Sequence, residues 1–129
     1  MDFITLDDCT ADAILVCEES DVIFANAYLL ALAKKYGLKD DEIAIPCNEM
    51  VRQLGVKKAY QTRALAMVGN DTTVMADGSR GDDVFKQKYE LYTSTIGSIE
   101  ERLTFSDFAI DGVNESGKGG VGVIRLTRA

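Results

Sequence analysis

The groups best able to do chemistry in this sequence are carboxylates, and five pairs of them are adjacent: Asp7-Asp8, Glu18-Glu19, Asp40-Asp41, Asp82-Asp83 and Glu100-Glu101. Acid–base catalysis needs two carboxylates that converge on one cleft with separated pKa values. Neighbouring residues on a helix point apart, and most of these pairs fall at expected helix ends, so they read as caps and solvated surface. The chain has no histidine, which removes the usual activating base from every serine and cysteine. Cys9, Cys17 and Cys47 form no CxxC pair and have no histidine to complete a mixed zinc site. They are expected to be reduced, partly buried thiols. No catalytic residue, metal or cofactor is therefore expected, and the chain does not read as an enzyme.

Two short motifs carry less than they spell. Gly117-Lys118-Gly119-Gly120-Val121-Gly122 has the composition of a phosphate loop. The working motif needs a strand before it and a helix after it, so that backbone amides point at the phosphate, and no helix pattern follows here. Arg80-Gly81-Asp82 spells an adhesion tripeptide. Asp82 is already accounted for as a helix cap, and a three-residue match has a high false-positive rate.

The element that organises the chain is expected over residues 82–103. Phe85, Tyr89, Tyr92, Ile96, Ile99 and Leu103 recur at alternating steps of four and three, which draws one apolar stripe down a helix. Gly97 inside it implies close helix contact or a slight bend, or has no special role. A short opening helix is expected over 5–17, capped by Thr5 or Asp7, with Ala11, Ile14, Leu15 and Cys17 as a partial apolar face. A second helix over 20–36 starts at Ser20 or Asp21 and stops at Gly37 in a left-handed conformation. Its residues 22–33 are apolar on nearly every face, the pattern of a helix surrounded by others, so it is the expected partner of the 82–103 stripe. Pro46 marks a boundary, and Asn48 caps a third helix running to Met67 or Val68, with a kink or split possible at Gly55. Residues 69–81 read as a loop. Phe105, Phe108 and Ile110 are apolar anchors beyond the long helix.

From residue 112 onward glycine is too frequent for helix. Val121, Val123, Ile124 and Leu126 have strand-like composition, and Arg125 and Arg128 give this segment a sign opposite to that of the body. The fold class expected is mainly α: a small bundle of three or four helices over 1–111, with an extended, glycine-rich C-terminal arm over 112–129. In isolation the arm reads as a frayed tail. In an assembly, Val121, Val123, Ile124, Arg125, Leu126 and Arg128 are candidate partner-binding residues, by strand addition or through the arginines.

The 129 residues suffice for one domain with a real core, and the formal charge is -7. An acidic domain lacks the clustered cations that grip nucleic acid. Residues 1–4 show no basic stretch leading into an apolar run, so no secretory leader is expected. The most apolar run, near 25–33, is too short and interrupted to span a bilayer, so no membrane partner is expected.

The order of parts resembles the small head–tail connector (adaptor) proteins of tailed bacteriophages. The likeness runs from an apolar helix ending in Lys34-Lys35-Tyr36-Gly37, through a helix with Ala59-Tyr60 and Arg63-Ala64-Leu65, to Asp82-Asp83-Val84-Phe85-Lys86-Gln87-Lys88-Tyr89 opening a long amphipathic helix, and then an arginine-bearing tail. It covers most of the chain. The resemblance implies a structural virion protein of the neck, assembled in the host cytoplasm. Its subunits would form a ring under the portal protein, contact neighbouring copies and a downstream neck or tail protein, and let DNA pass without sequence-specific binding. Residues 121–129 would dock on the portal, and an acidic body would suit a channel that must not hold its DNA. The glycine-rich approach to the arm departs from that family. The alternative is a non-ring helical module, such as an assembly chaperone or small regulator, which predicts a monomer or dimer.

Overall fold

A computed structural model describes residues 2–69 and 84–113. The described chain is mainly helical: α1 (Glu19–Lys35), α2 (Glu49–Met67), α3 (Val84–Arg102) and the single turn α4 (Phe105–Phe108), with 3-10 turns at Leu6–Cys9 and Asp40–Glu42. The small helical bundle expected from the sequence is present. The 112–129 arm and the Arg80–Asp82 tripeptide lie outside the described residues, apart from Gly112 and Val113.

α1, α2 and α4 start where local chemistry satisfies free amides. At α2 the Asn48 carboxamide accepts from the Val51 amide at 2.9 Å, the cap the sequence predicts. At α1 the cap differs from expectation. Glu18 takes the cap position, and Asp21 reaches back to accept from the Glu18 amide at 2.8 Å. Thr104 and Asp107 repeat that exchange at α4, with the Thr104 amide 2.7 Å from the Asp107 carboxylate. Gly37 ends α1 with φ 86°, the left-handed stop expected there.

The centre of the bundle is α2, not α1. It packs against α1 on one side and α3 on the other, and Val51, Leu54, Val56, Ala59, Tyr60 and Ala64 are all buried. The stripe of α3 is as predicted, with Tyr92, Ile96, Ile99 and Leu103 buried and Phe85 and Tyr89 packed at the margin, but it faces α2 where α1 was expected. The all-round apolar composition of α1 is not matched by all-round burial. Val22, Ala25, Leu29 and Ala33 are buried, whereas Ile23 and Phe24 are open to solvent.

Gly55 explains how α2 takes the central place. The helix runs through it unbroken, contrary to the expected kink. A Cβ there would lie 2.7 Å from Leu29 Cδ1 and 3.1 Å from Ile4 Cγ2. The absent side chain lets α1 and the N-terminal segment approach the α2 backbone. At Gly97 an added Cβ would meet nothing within 4 Å, so close helix contact is not its role.

The opening helix expected over 5–17 is also corrected. Only Leu6–Cys9 forms a 3-10 turn. Beyond it the chain is irregular: Leu15 and Cys17 are buried while Ile14 and Val16 between and beside them are exposed. That two-residue alternation is the period of extended chain.

The helices alternate in direction. Arg63 near the end of α2 reaches Asp21 and Glu18 at the start of α1, and Gly55 faces Leu29. Tyr36, just past the end of α1, donates its hydroxyl to the Leu103 carbonyl at 3.3 Å. One end of the bundle therefore gathers the start of α1 and the finish of α2. The opposite end gathers the finish of α3, α4 and the 42–44 connection, where the Ala44 amide donates to Phe108 O at 2.8 Å and the Ile110 amide to Glu42 O at 3.0 Å.

Candidate functional site

The most concentrated polar chemistry lies where the 10–18 segment crosses α2 and α3. Asp12 has a side chain only 5% exposed and receives hydrogen bonds from the Tyr92 hydroxyl and from Lys88 Nζ at 3.0 Å. Burial pushes its carboxyl up, but those two donors and the Ile14 amide outweigh it and hold the carboxyl below its ordinary value. Tyr92 is pushed the other way, by burial first and then by Asp12. The Tyr60 hydroxyl accepts from the amides of Ala11 and Asp12 at 3.0 and 3.2 Å, and the rings of Tyr60 and Tyr92 stack with centroids 5.1 Å apart. Lys57 Nζ lies 5.8 and 5.7 Å from those two ring centroids.

These groups border an open cleft of about 380 Å³. Their donors and acceptors are directed at one another, so the arrangement clasps the 10–18 segment onto α2 and α3. Two further polar devices act in the same way. Asp21, with a side chain 4% exposed, is bracketed by the Arg63 guanidinium at 2.8 and 3.2 Å. Buried Asn26 accepts from the amides of Phe3 and Ile4 at 2.9 and 3.0 Å and donates to Ile4 O at 3.1 Å. It thereby pins the N-terminal segment onto α1. Among the described residues no group of three or more Cys, Asp or Glu side chains is placed to hold a metal ion.

Several large apolar side chains are open to solvent among the described residues. At the end where α1 begins, Val16 is 77% exposed, Ile23 65%, Leu65 58% and Phe24 52%. The Glu18 carboxylate at this end pairs with Arg63 at 3.3 Å. Phe24 and Tyr28 flank Lys58 Nζ, 5.7 and 4.5 Å from their ring centroids, so the basic stretch of α2 is drawn inward onto aromatic rings. Leu65 joins the patch because α2 finishes beside the first turn of α1. At the opposite end Ile45 and Ile110 are also open to solvent, and there Val113, the last described residue, is half-buried against the core.

The sequence-predicted partner residues Val121, Val123, Ile124, Arg125, Leu126 and Arg128 lie outside the described residues. The chain leads toward them from the Ile110–Val113 turn, closed by a 3.3 Å hydrogen bond from the Val113 amide to Ile110 O. Asp12, Asn26 and the Asp21–Arg63 pair are functional in the fold and were missed by sequence reasoning. For Asn26 a signal was available: it falls four residues after Val22 and three before Leu29, on the inward face of α1. Asp12 has no such signal, because its partners lie on two other elements.

Comparison of the chain with family models, with curated proteins and with solved structures gave no match. Among the described residues no helix is long and apolar enough to cross a membrane.

Proposed function

We propose that this chain is a structural subunit of a head–tail connector ring, a non-enzymatic adaptor that joins a portal to a tail around a DNA channel. What supports this reading is a set of exposed apolar side chains at one end of the bundle, together with an arginine-bearing segment that follows in the sequence after the described residues at the other end. At one end Val16, Ile23, Phe24 and Leu65 expose apolar side chains, and the Glu18 carboxylate pairs there with Arg63. At the other, the described chain closes with Val113 against the core, and Arg125 and Arg128 follow in the sequence. Unlike surfaces at opposite ends make head-to-tail contacts, and such contacts close into rings when the rotation permits. An isologous dimer would instead need a self-complementary patch.

The energetics agree with that reading. A buried large apolar side chain contributes about 1.5–3 kcal/mol, so covering the patch offers a substantial driving force for association. An extended segment of the length of 114–129 reaches at most about 55 Å, against about 28 Å for the length of α2. It is long enough to cross to a neighbouring copy or to a portal. The acidic body keeps the ring's affinity for DNA low.

The test is the solution mass of the full chain and of a chain ending at Asp111, each with and without a purified portal ring. Higher-order assembly, or binding to the portal ring that requires residues 112–129, supports the connector. A monomer or dimer that ignores the portal ring overturns it and favours the one-partner chaperone or regulator.

A further inference from the structure

The clasped segment over 10–18 is bounded by two cysteines, and the sequence analysis left both without a role. Cys9 ends the first 3-10 turn and Cys17 directly precedes the cap of α1. Both are buried, 3% and 8% exposed, and neither is in a disulfide. The intervening chain is folded back on itself. The Asp12 carboxylate accepts from the Ile14 amide at 3.0 Å, and the Tyr60 hydroxyl holds the Ala11 and Asp12 amides. Both cysteines line one cleft of about 360 Å³, together with Leu6, Leu15 and Val16. Each thiol is the other's first electrostatic neighbour. Cys47, the third cysteine, lies elsewhere, with its sulfur 3.4 Å from the Phe3 carbonyl oxygen.

We propose that Cys9 and Cys17 form a dithiol site which a small peroxide, entering through the cleft they line, converts to an intrachain disulfide. The roles of the two sulfurs follow from their environment. Proximity to Cys17 holds the Cys9 thiol below its ordinary value, while proximity to Cys9 and burial push Cys17 up. The proposed reaction takes Cys9 as the attacking thiolate and Cys17 as the partner that keeps its proton. The Cys9 thiolate attacks one peroxide oxygen, the O–O bond breaks, and hydroxide leaves, giving a sulfenic acid at Cys9. Cys17 sulfur then attacks Cys9 sulfur. The S–O bond breaks, the Cys17 proton goes to the departing oxygen, and water leaves. Two thiols are oxidised by two electrons and one peroxide is reduced. The disulfide closes the loop that carries exposed Val16, so oxidation fixes the shape of that edge. The proposal is independent of the connector reading.

The sequence supplies a clean assay, because the first lysine or arginine is Lys34. Trypsin therefore releases Cys9 and Cys17 together in the 1–34 peptide and Cys47 in the 40–52 peptide. The folded full chain is treated with dilute hydrogen peroxide, quenched, denatured, alkylated without reduction and mapped by mass spectrometry. The expected result is a 1–34 peptide lighter by two hydrogens and closed to alkylation, while 40–52 carries its alkyl group. In Cys17→Ser the expected product is a sulfenic acid at Cys9, trapped by dimedone. Should that variant fail to fold, phenylarsine oxide provides a second readout on the unmodified chain, since trivalent arsenic bridges only thiols that meet. Bridging of the 1–34 peptide by arsenic is expected. A 1–34 peptide that takes two alkyl groups after peroxide, a disulfide involving Cys47 or a second chain, or failure of the arsenical to bridge would each overturn the proposal.

Discussion

Replacing Asn26 by leucine should detach the N-terminal segment from the bundle. Asn26 lies on the inward face of α1 and satisfies three backbone groups of Phe3 and Ile4. If the segment stayed in place, three buried polar groups would lose their partners at about 1–3 kcal/mol each. If it peeled away, Phe3 and Ile4, which are 6% and 1% exposed, would surrender their burial at about 1.5–3 kcal/mol each. The chain takes the less costly route, so the expected loss is about 3–6 kcal/mol, a large share of a total of about 5–15 kcal/mol for a domain. Urea denaturation reads the loss, and hydrogen exchange distinguishes the route. The amides of Phe3 and Ile4 should exchange freely in Asn26→Leu while those of α2 remain protected. A loss below about 1 kcal/mol, with Phe3 and Ile4 still protected, would refute the assignment of Asn26 as the anchor.

The two helix-interior glycines should respond in opposite senses. Gly97→Ala meets no neighbour and should raise stability by about 1 kcal/mol through helix propensity. Gly55→Ala would press on Leu29 and Ile4, and overpacking of about 1–3 kcal/mol should exceed that gain; matched urea curves of the two variants check both signs. Asp12 makes the fold acid-sensitive. Its carboxyl is held below the ordinary 3.8, so the ionised form contributes stability that is fully present above that value and lost as pH falls through its lower folded value. Asp12→Asn should lose about 2 kcal/mol at neutral pH and show a weaker decline below about pH 4 than the parent chain, read from denaturation midpoints across that range. On the exposed patch, Val16→Asp with Ile23→Asp should leave the stability of the subunit within about 0.5 kcal/mol yet abolish association, as light scattering of the double variant would report.

The three long helices were legible because their signals are local. The alternating four–three stripe of α3 and the Asn48 cap of α2 need no knowledge of the rest of the chain. The order of burial among helices is not local. Residues 22–33 are apolar enough for a central helix, yet the centre went to α2, whose Gly55 admits Leu29 and Ile4 against its backbone. The 10–18 segment was misread because Ala13-Ile14-Leu15-Val16-Cys17 is apolar at every position and hides its two-residue alternation. The β-branched Ile14 and Val16 were the available hint of extended chain. Asp12 was beyond reach, since a carboxylate is expected at the surface unless Lys88 and Tyr92, some 80 residues away in sequence, are known to meet it. The arm's sign and composition could be read from the sequence, but not the exposure of Ile23 and Phe24 on α1.

The most direct test of the connector reading is light scattering of the full chain, of the chain ending at Asp111 and of Val16→Asp/Ile23→Asp, each alone and mixed with a purified portal ring. The account predicts that the full chain forms a ring, alone or on the portal, and that removing residues 112–129 or charging the patch each prevents it. A full chain that stays monomeric or dimeric and does not bind the portal ring would contradict the account.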